Sequence, residues 1–301
     1  MSVAALRARP SLWRRMWKAR WAYLFIAPFF VNFFVFEFFP ILFSVFLSLR
    51  KWSGFGEMQY VGLANFRRVL SDERFWNAMR NTAVLWLGHI FIMMAAALLL
   101  AVVLNSKLLR GRTIFRTIYY LPNITAIAVM ALAFTLIYDT NFGILNKLLA
   151  ALHVPAIPWL SSPGWAKVSI VLFNLWGATG WFMVIIFAGL QRINPDLYEA
   201  ASVDGANAWH KLRYVTIPQL RPVLFFIFII ETIGSFEMFT EPYLLTQGGP
   251  RDSTTTVALY IYLHAFKFFN MGYAAALSLV LFVSIAGVSL FQARFWKDET
   301  A

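Results

Sequence analysis

The 301-residue sequence contains no cysteine, which excludes disulfides, thiolate chemistry and a zinc site built from cysteine ligands. Charge is also scarce: 13% of the residues are charged, against roughly 25% in an ordinary globular domain. The four histidines are widely separated, so we expect no metal site and interpret each as an ordinary residue of a helix surface or membrane interface. The pattern G-x-x-x-x-G-K-[ST] is missing, so any ATP used must be bound by another chain.

Hydrophobic residues, in contrast, make up 60% of the chain. Too few polar residues remain to cover the surface of a water-soluble protein of this size. About 20 apolar residues cross a bilayer as a helix, and six segments are long enough. They lie at 22–49, 81–105, 114–138, 167–190, 223–245 and 272–294. The sequence therefore predicts an all-α integral membrane protein with about six transmembrane helices. Pro28 and Pro40 lie in the first span, Pro122 interrupts the third, and Pro242 is expected to end the fifth.

The net charge of +12 indicates contact with anionic lipid rather than nucleic acid. Six of the 26 Lys and Arg residues lie in the first 20 positions, and an N-terminus on the cytoplasmic side places 16 of the 26 there. We therefore predict a cytoplasmic basic tail over 1–21, a six-span transmembrane domain over 22–294 and a cytoplasmic tail over 295–301. Both termini and the loop at about 194–218 then face the cytoplasm.

That loop reads as two short helices. Asn194, Pro195 and Asp196 are typical of a helix start, and this helix is expected to end near Val203. Asp204 and Gly205 form a turn in which Gly205 has a positive φ, and the second helix runs from about 206 until just before 218. An amphipathic pair of this kind can also simply lie flat among lipid headgroups.

The segment EAASVDGA at 199–206, followed by IP at 217–218 and RP at 221–222, resembles the "EAA" loop of binding-protein-dependent ABC transporter permeases. YVGLANF at 60–66 and FTEPYLLTQGGP at 239–250 are similar to segments of the carbohydrate-uptake members of that family. The resemblance implies a coupling helix that rests in a groove on a cytoplasmic ATPase. Its coupling residues are Glu199, Ala200, Ala201, Asp204, Gly205, Ala206 and Trp209.

The same resemblance implies a permease subunit of an importer in a prokaryotic cell membrane, with no catalytic residue and no cofactor of its own. Its implied partners are a second permease, expected to be a different chain, two cytoplasmic ATP-binding subunits and an extracytoplasmic solute-binding protein. The implied cargo is a sugar or a related polyol or oligosaccharide, with glycerol 3-phosphate or its diesters as the alternative. A secondary transporter driven by ions would show inverted repeats and an ion relay, and neither is evident. A membrane-embedded enzyme lacks a nucleophile–base constellation.

Ionisable and amide side chains inside spans are costly and mark possible transport pathways. The candidates are Glu231, Ser235, Glu237, Asn174, Trp181 and Asn123. Glu231 has an equal alternative as an interhelical hydrogen-bond partner. Glu237 and Glu241 are predicted to share one face of the fifth span, with Glu241 exposed at its outer interface. Gly248, Gly249 and Pro250 form a rigid outer turn, which is either a docking point for the binding protein or a plain connector.

Overall fold

The computed structural model describes residues 12–106 and 109–298, and these form a helical bundle. The α-helices are α1 (Leu12–Lys18), α2 (Arg20–Asn32), α3 (Phe39–Ser48), α4 (Ala64–Ser71), α5 (Glu73–Asn105), α6 (Arg112–Ile124), α7 (Ile127–Ile137), α8 (Ile144–Ala151), α9 (Pro163–Leu190), α10 (Pro195–Val203), α11 (Ala208–Lys211), α12 (Ile217–Phe236), α13 (Val257–Tyr262) and α14 (Met271–Asp298). Short π-helical segments lie at Phe33–Phe38, Leu212–Thr216, Pro242–Thr246 and Leu263–Lys267. Strands β1 (Arg50–Lys51) and β2 (Gln59–Tyr60) form one small antiparallel hairpin.

Five continuous helices are long and apolar enough to span a membrane, and a sixth span consists of α6 and α7, bent by 97°. The predicted all-α class and the number of spans are therefore confirmed. Arg7 and Arg9 of the predicted basic tail lie outside the described residues, as do the last three residues of the chain. Within the described part, α1 already begins at position 12 and α14 continues to 298, past the predicted end of the sixth span.

Prolines explain two of the π-helical segments. A proline has no N–H for the carbonyl four residues earlier and its ring collides with that carbonyl, whereas a wider π turn relieves the conflict. Phe33–Phe38 lies just before Pro40, and Leu212–Thr216 lies just before Pro218. The chain therefore passes both prolines without ending the helix. The prediction that the second loop helix stops before Pro218 is wrong, because one rod runs from Ala208 to Phe236.

The fifth span ends earlier than predicted. Its helix stops at Phe236, with Glu237 as the capping residue, rather than continuing to 245. Pro242 cannot donate to the carbonyl of Met238, which instead accepts a 2.6 Å hydrogen bond from the hydroxyl of Thr256. Glu237 and Glu241 consequently do not share a helix face, contrary to the sequence prediction.

The bundle is held together by α5 and α9. Met93, Ala97 and Ala101 on α5 are fully buried, and they belong to one apolar cluster with Met183 and Ile186 of α9. Small residues at every fourth position allow the two helices to approach closely, as is usual inside membranes. The first span differs, since only 6% of its most apolar stretch is buried. It contacts the rest of the bundle mainly where α3 packs against α14.

A carboxylate fixes the start of the second span, at the end of the bundle opposite the 194–218 loop. Asp72 caps α5 by accepting from the backbone N–H groups of Arg74 and Phe75. Its other oxygen accepts from the hydroxyls of Tyr260 at 2.7 Å and Tyr273 at 2.6 Å. Burial opposes ionisation of Asp72, but these hydrogen bonds outweigh it and hold the pKa of the carboxyl below its usual value. The cap explains why α5 starts eight residues before the predicted 81.

We predict that Asp72→Ala lowers the thermal stability of the purified protein. Loss of the cap costs about 1–2 kcal/mol, and two buried tyrosine hydroxyls lose their acceptor. Because the pKa of Asp72 is lowered on folding, its stabilisation is present above the ordinary carboxyl pKa of about 3.9 and disappears as the pH falls through the lowered value. Melting temperatures at several pH values measure both effects. Glu73→Ala, at an exposed neighbour, is the control, and an equal loss in both variants would contradict the assignment.

Candidate functional site

The loop at 194–218 has the predicted local structure. The side chain of Asn194 accepts a hydrogen bond from the N–H of Asp196 and caps α10, which ends at Val203. Gly205 follows with φ +77°, as predicted. The N–H of Ala206 bonds the carbonyl of Ala201, and that of Gly205 bonds Ser202. This double closure is a Schellman motif, whose geometry requires a left-handed residue at the position of Gly205.

The second half of the loop is fastened to the first. Asn207 caps α11 by accepting from the N–H of His210 at 2.9 Å. The ammonium of Lys211 donates to the hydroxyl of Ser202, and the hydroxyls of Tyr198 and Thr216 lie 3.0 Å apart. Because α11 continues through the π turn into α12, the hairpin is the end of the rod that forms the fifth span. A force on the hairpin therefore acts directly on that span.

The loop presents apolar groups on its surface. Val203 at the tip is 87% exposed, and Trp209 and Tyr214 are also mostly exposed. Glu199 and Ala200 are exposed, and Glu199 has no ion-pair partner within the described part of the chain. A cavity of about 370 Å³ opens beside Asp204, Gly205 and Ala206, and the partly buried Ala201 also lines it. A cluster of exposed apolar side chains on a rigid loop is typical of a surface that binds another protein.

A second group of predicted residues meets where the third span breaks. Helix α6 ends at Ile124 and α7 begins at Ile127, so the backbone between them is not helical. A cavity of about 200 Å³ lies at this break and is lined by polar groups of Asn123, Asn174 and Glu241, among other residues. Irregular backbone at membrane depth is tolerated where it lines such a cavity.

Two of the predicted pathway residues, Asn123 and Asn174, are thus brought together, and Glu241 joins them. The expectation that Glu241 is exposed at the outer interface is wrong, because the segment after Phe236 packs against α7 and α9 and leaves this residue partly buried in the cavity lining. Glu237 is exposed at the end of the rod instead. Trp181 is partly exposed on α9, and its ring lies 6.1 Å from that of Tyr120.

Glu231 has a partner that the sequence interpretation missed. Its carboxylate Oε1 lies 2.9 Å from Nδ1 of His89 on α5, and the hydroxyl of Ser235 donates to the same oxygen at 3.3 Å. His89 is only 1% exposed, so its interpretation as a helix-surface residue is wrong. A lone histidine in an apolar span would have given the signal, since an ionisable side chain at membrane depth usually has a partner. Of the two roles considered for Glu231, the interhelical contact is the one that the geometry supports.

The comparisons with known proteins agree on one family. The model of the "binding-protein-dependent transport system inner membrane component" family matches residues 95–297. The chain belongs to this family. The lactose transport system permease protein LacF of Rhizobium radiobacter is 37% identical over 89% of this chain and 91% of its own length. The trehalose/maltose transport system permease protein MalF of Thermococcus litoralis is 33% identical over 88% of this chain and 90% of its own length.

Solved structures support the fold. A bacterial ABC transporter involved in the import of the acidic polysaccharide alginate has a chain that superposes with a TM-score of 0.84. The alignment covers 96% of this permease and 99% of that chain, at 24% sequence identity. At this identity the likeness establishes the architecture of an ABC permease and nothing about the cargo. The permease is an integral membrane protein, and its described part contains no cluster of three or more His, Cys, Asp or Glu residues placed to hold a metal ion.

The turn at 248–250, which was predicted to lie on the outer side, is tightly built. Gly248 has φ +84° and is buried, and its carbonyl accepts a hydrogen bond from the hydroxyl of Thr255. Gly249 and Pro250 are half-buried, whereas the following Arg251 and Asp252 are exposed at the tip. Gly248 therefore shapes the turn from within, and Arg251 and Asp252 form its exposed tip.

We predict that His89→Leu and Glu231→Leu each lower the melting temperature. The double variant should lose less than the sum of the two single losses. Removing one member leaves the other buried without its partner, which costs about 1–3 kcal/mol or more, whereas replacing both by apolar residues is often nearly neutral. Thermal unfolding of the wild type, the two single variants and the double variant measures the coupling. His89→Leu with Asp72→Ala serves as the control pair, since about 25 Å of helix separates the two sites. Additive effects in both pairs would contradict the coupling.

Proposed function

We propose that this permease forms half of the translocation pathway of a sugar importer and contains no catalytic centre itself. The relatives named above transport lactose and trehalose or maltose, and a further relative, of Bacillus subtilis, is an arabinooligosaccharide permease that is 34% identical over 95% of this chain. These names support a saccharide rather than glycerol 3-phosphate as the cargo. Membership in this family also argues against the alternative of a secondary transporter driven by ions.

The coupling loop is the feature that carries the mechanism. In the proposal, Glu199, Ala200 and the exposed apolar tip dock on one of two cytoplasmic ATP-binding subunits. The rod from Ala208 to Phe236 then transmits the movement of that subunit into the bundle, as a rigid-body switch between inward- and outward-facing states. A second permease completes the pathway, and an extracytoplasmic solute-binding protein delivers the sugar. In this arrangement the chain lies in a prokaryotic plasma membrane with both termini in the cytoplasm.

The cavity at the break of the third span is the proposed contact site for sugar. Amide groups of Asn123 and Asn174 can both donate and accept hydrogen bonds, and the carboxylate of Glu241 accepts them from hydroxyls. A carboxylate without a basic neighbour in the lining disfavours an anionic cargo. The cavity of about 200 Å³ is small for a disaccharide. The second permease therefore supplies the rest of the wall around the sugar.

We predict that Gly205→Val uncouples ATP hydrolysis from uptake. A left-handed conformation costs a side chain about 1–2 kcal/mol, and the strain falls on the turn that orients the docking surface. Gly205→Asn is the matched control, because asparagine adopts this conformation readily and a Cβ here meets open space. The measurement is ATP hydrolysed per sugar transported in proteoliposomes containing all subunits. If both variants couple like the wild type, the loop is only a connector.

We also predict that Asn174→Leu raises the KM for sugar uptake about twofold to tenfold, which corresponds to one lost hydrogen bond of about 0.5–1.5 kcal/mol. Assembly with the ATPases should be unchanged, because the amide lies in the bundle and not at the loop. Leu172→Ala, at an exposed residue on the same helix outside the cavity, is the control. An unchanged KM in Asn174→Leu would remove the cavity from the pathway while leaving the coupling proposal intact.

A further inference from the structure

The side chain of Met238 contacts one of the polar residues that line the cavity at the break of the third span. Nδ2 of Asn174 donates a hydrogen bond to the sulfur of Met238 at 3.6 Å. Met238 is only 7% exposed and belongs to an apolar cluster with Leu85, Ile170 and Phe173. The described residues that line the cavity do not include Met238 itself. It can therefore act on a cargo in the cavity only through Asn174.

The backbone of Met238 is anchored by buried hydrogen bonds. Thr256 caps α13, and its hydroxyl also donates to the carbonyl of Met238 at 2.6 Å. The N–H of the next residue, Val257, donates to the hydroxyl of Thr82 on α5 at 3.1 Å. Thr82 and Thr256 are both fully buried. Met238 is thus tied to α13 and, through the start of that helix, to α5, so its sulfur is presented to Asn174 from a fixed position.

The contact with sulfur decides which way the amide of Asn174 points. A thioether has lone pairs but no hydrogen to donate, so it pairs with the N–H group and not with the carbonyl oxygen. Turning the amide over would bring two acceptors together. Oδ1 of Asn174 is therefore directed away from Met238, and it accepts no hydrogen bond from a described residue. Because Asn174 lines the cavity and this oxygen is not enclosed by protein, it is an accessible acceptor in the cavity wall.

We propose that Met238 is a positioning residue that sets the specificity of the cavity at one sugar hydroxyl. Its sulfur holds Asn174 with the oxygen towards the cargo, so the group that meets this oxygen must donate a hydrogen bond. Leucine at position 238 would fill the same space but would leave the amide free to turn and to offer its N–H instead. The inference rests on the proposed function and adds that a hydroxyl donor is what the cavity selects at Asn174.

The test compares a sugar with its monodeoxyfluoro analogues, because fluorine is close to a hydroxyl in size but cannot donate. Uptake of lactose and of maltose is measured in proteoliposomes containing all subunits, with each analogue as a competitor. At one ring position, the analogue should bind about twofold to tenfold more weakly than the sugar in the wild type, which is the range for one lost hydrogen bond. Met238→Leu should bring this ratio close to one. The KM for the sugar itself should change by no more than about twofold, because at least about half of the amides still point the right way, and kcat should be unchanged.

Met183→Leu is the matched control, because Met183 is a fully buried methionine on the same helix as Asn174 and packs in a different apolar cluster. It should discriminate like the wild type. Asn174→Leu should remove the discrimination, and adding Met238→Leu to it should change nothing further. If Asn174→Leu still discriminates, the cavity is not the sugar contact, and the proposed site fails together with this inference. If only Asn174→Leu loses the discrimination, or if Met183→Leu loses it as Met238→Leu does, this inference alone is overturned.

A second measurement follows the contact itself and needs no sugar. Methionine methyl groups are isotope-labelled in the purified complex and observed by NMR in detergent. The signal that is missing in Met238→Leu belongs to Met238, and it should shift in Asn174→Leu because the amide next to the sulfur is gone. The signal of Met183, identified in the same way, should stay where it is. A Met238 signal that does not move in Asn174→Leu would show that the amide is not held by the sulfur, which would overturn the inference whatever the transport data show.

Discussion

The architecture depends on one constraint, which is that a backbone carbonyl at membrane depth must find a donor within the protein. Each proline in a span removes a donor, and the chain responds in different ways. At Pro40 and Pro218 a π turn precedes the proline and the helix continues. Before Pro242 the long helix has already ended at Phe236, and the hydroxyl of Thr256 satisfies the carbonyl of Met238. The same requirement thus decides where spans are continuous and where they end.

These two responses have opposite mechanical consequences. Continuity past Pro218 makes the loop hairpin and the fifth span one body, which can transmit displacement over its whole length. Interruption before Pro242 and at Thr125–Ala126 instead produces irregular backbone, which brings Glu241 and Asn123 to the same cavity. The proposed coupling depends on the rigid arm, and the proposed sugar contacts depend on the polar cavity. In this chain both arise from how proline and its neighbours satisfy the backbone.

Much of the loop could be predicted from sequence because its determinants are local. Asn194 caps the first helix within two residues, and Gly205 adopts a positive φ because the Schellman closure spans only six residues. The intramembrane contacts could not be predicted, since their partners are distant in the chain. His89 and Glu231 are separated by 142 positions, and Asp72 meets Tyr273 across 201. Hydrophobicity located the spans, but it contains no information about which helix faces which.

The positions of the carboxylates suggest why the rod is sensitive to its surroundings. Glu231 lies on the part that would move and His89 lies on α5, so a shift of the rod changes the separation of a buried pair. A buried carboxylate that loses its partner is strongly destabilised, because little water is available to replace the lost interaction. The pair therefore favours the arrangement described here, and another state of the permease must either preserve the contact or offer Glu231 a new donor. Ser235 lies one turn further along the same rod and donates to Glu231 from within it, whereas His89 reaches Glu231 from α5. A movement of the rod against α5 would therefore separate Glu231 from His89 and leave its contact with Ser235, within the rod, unchanged.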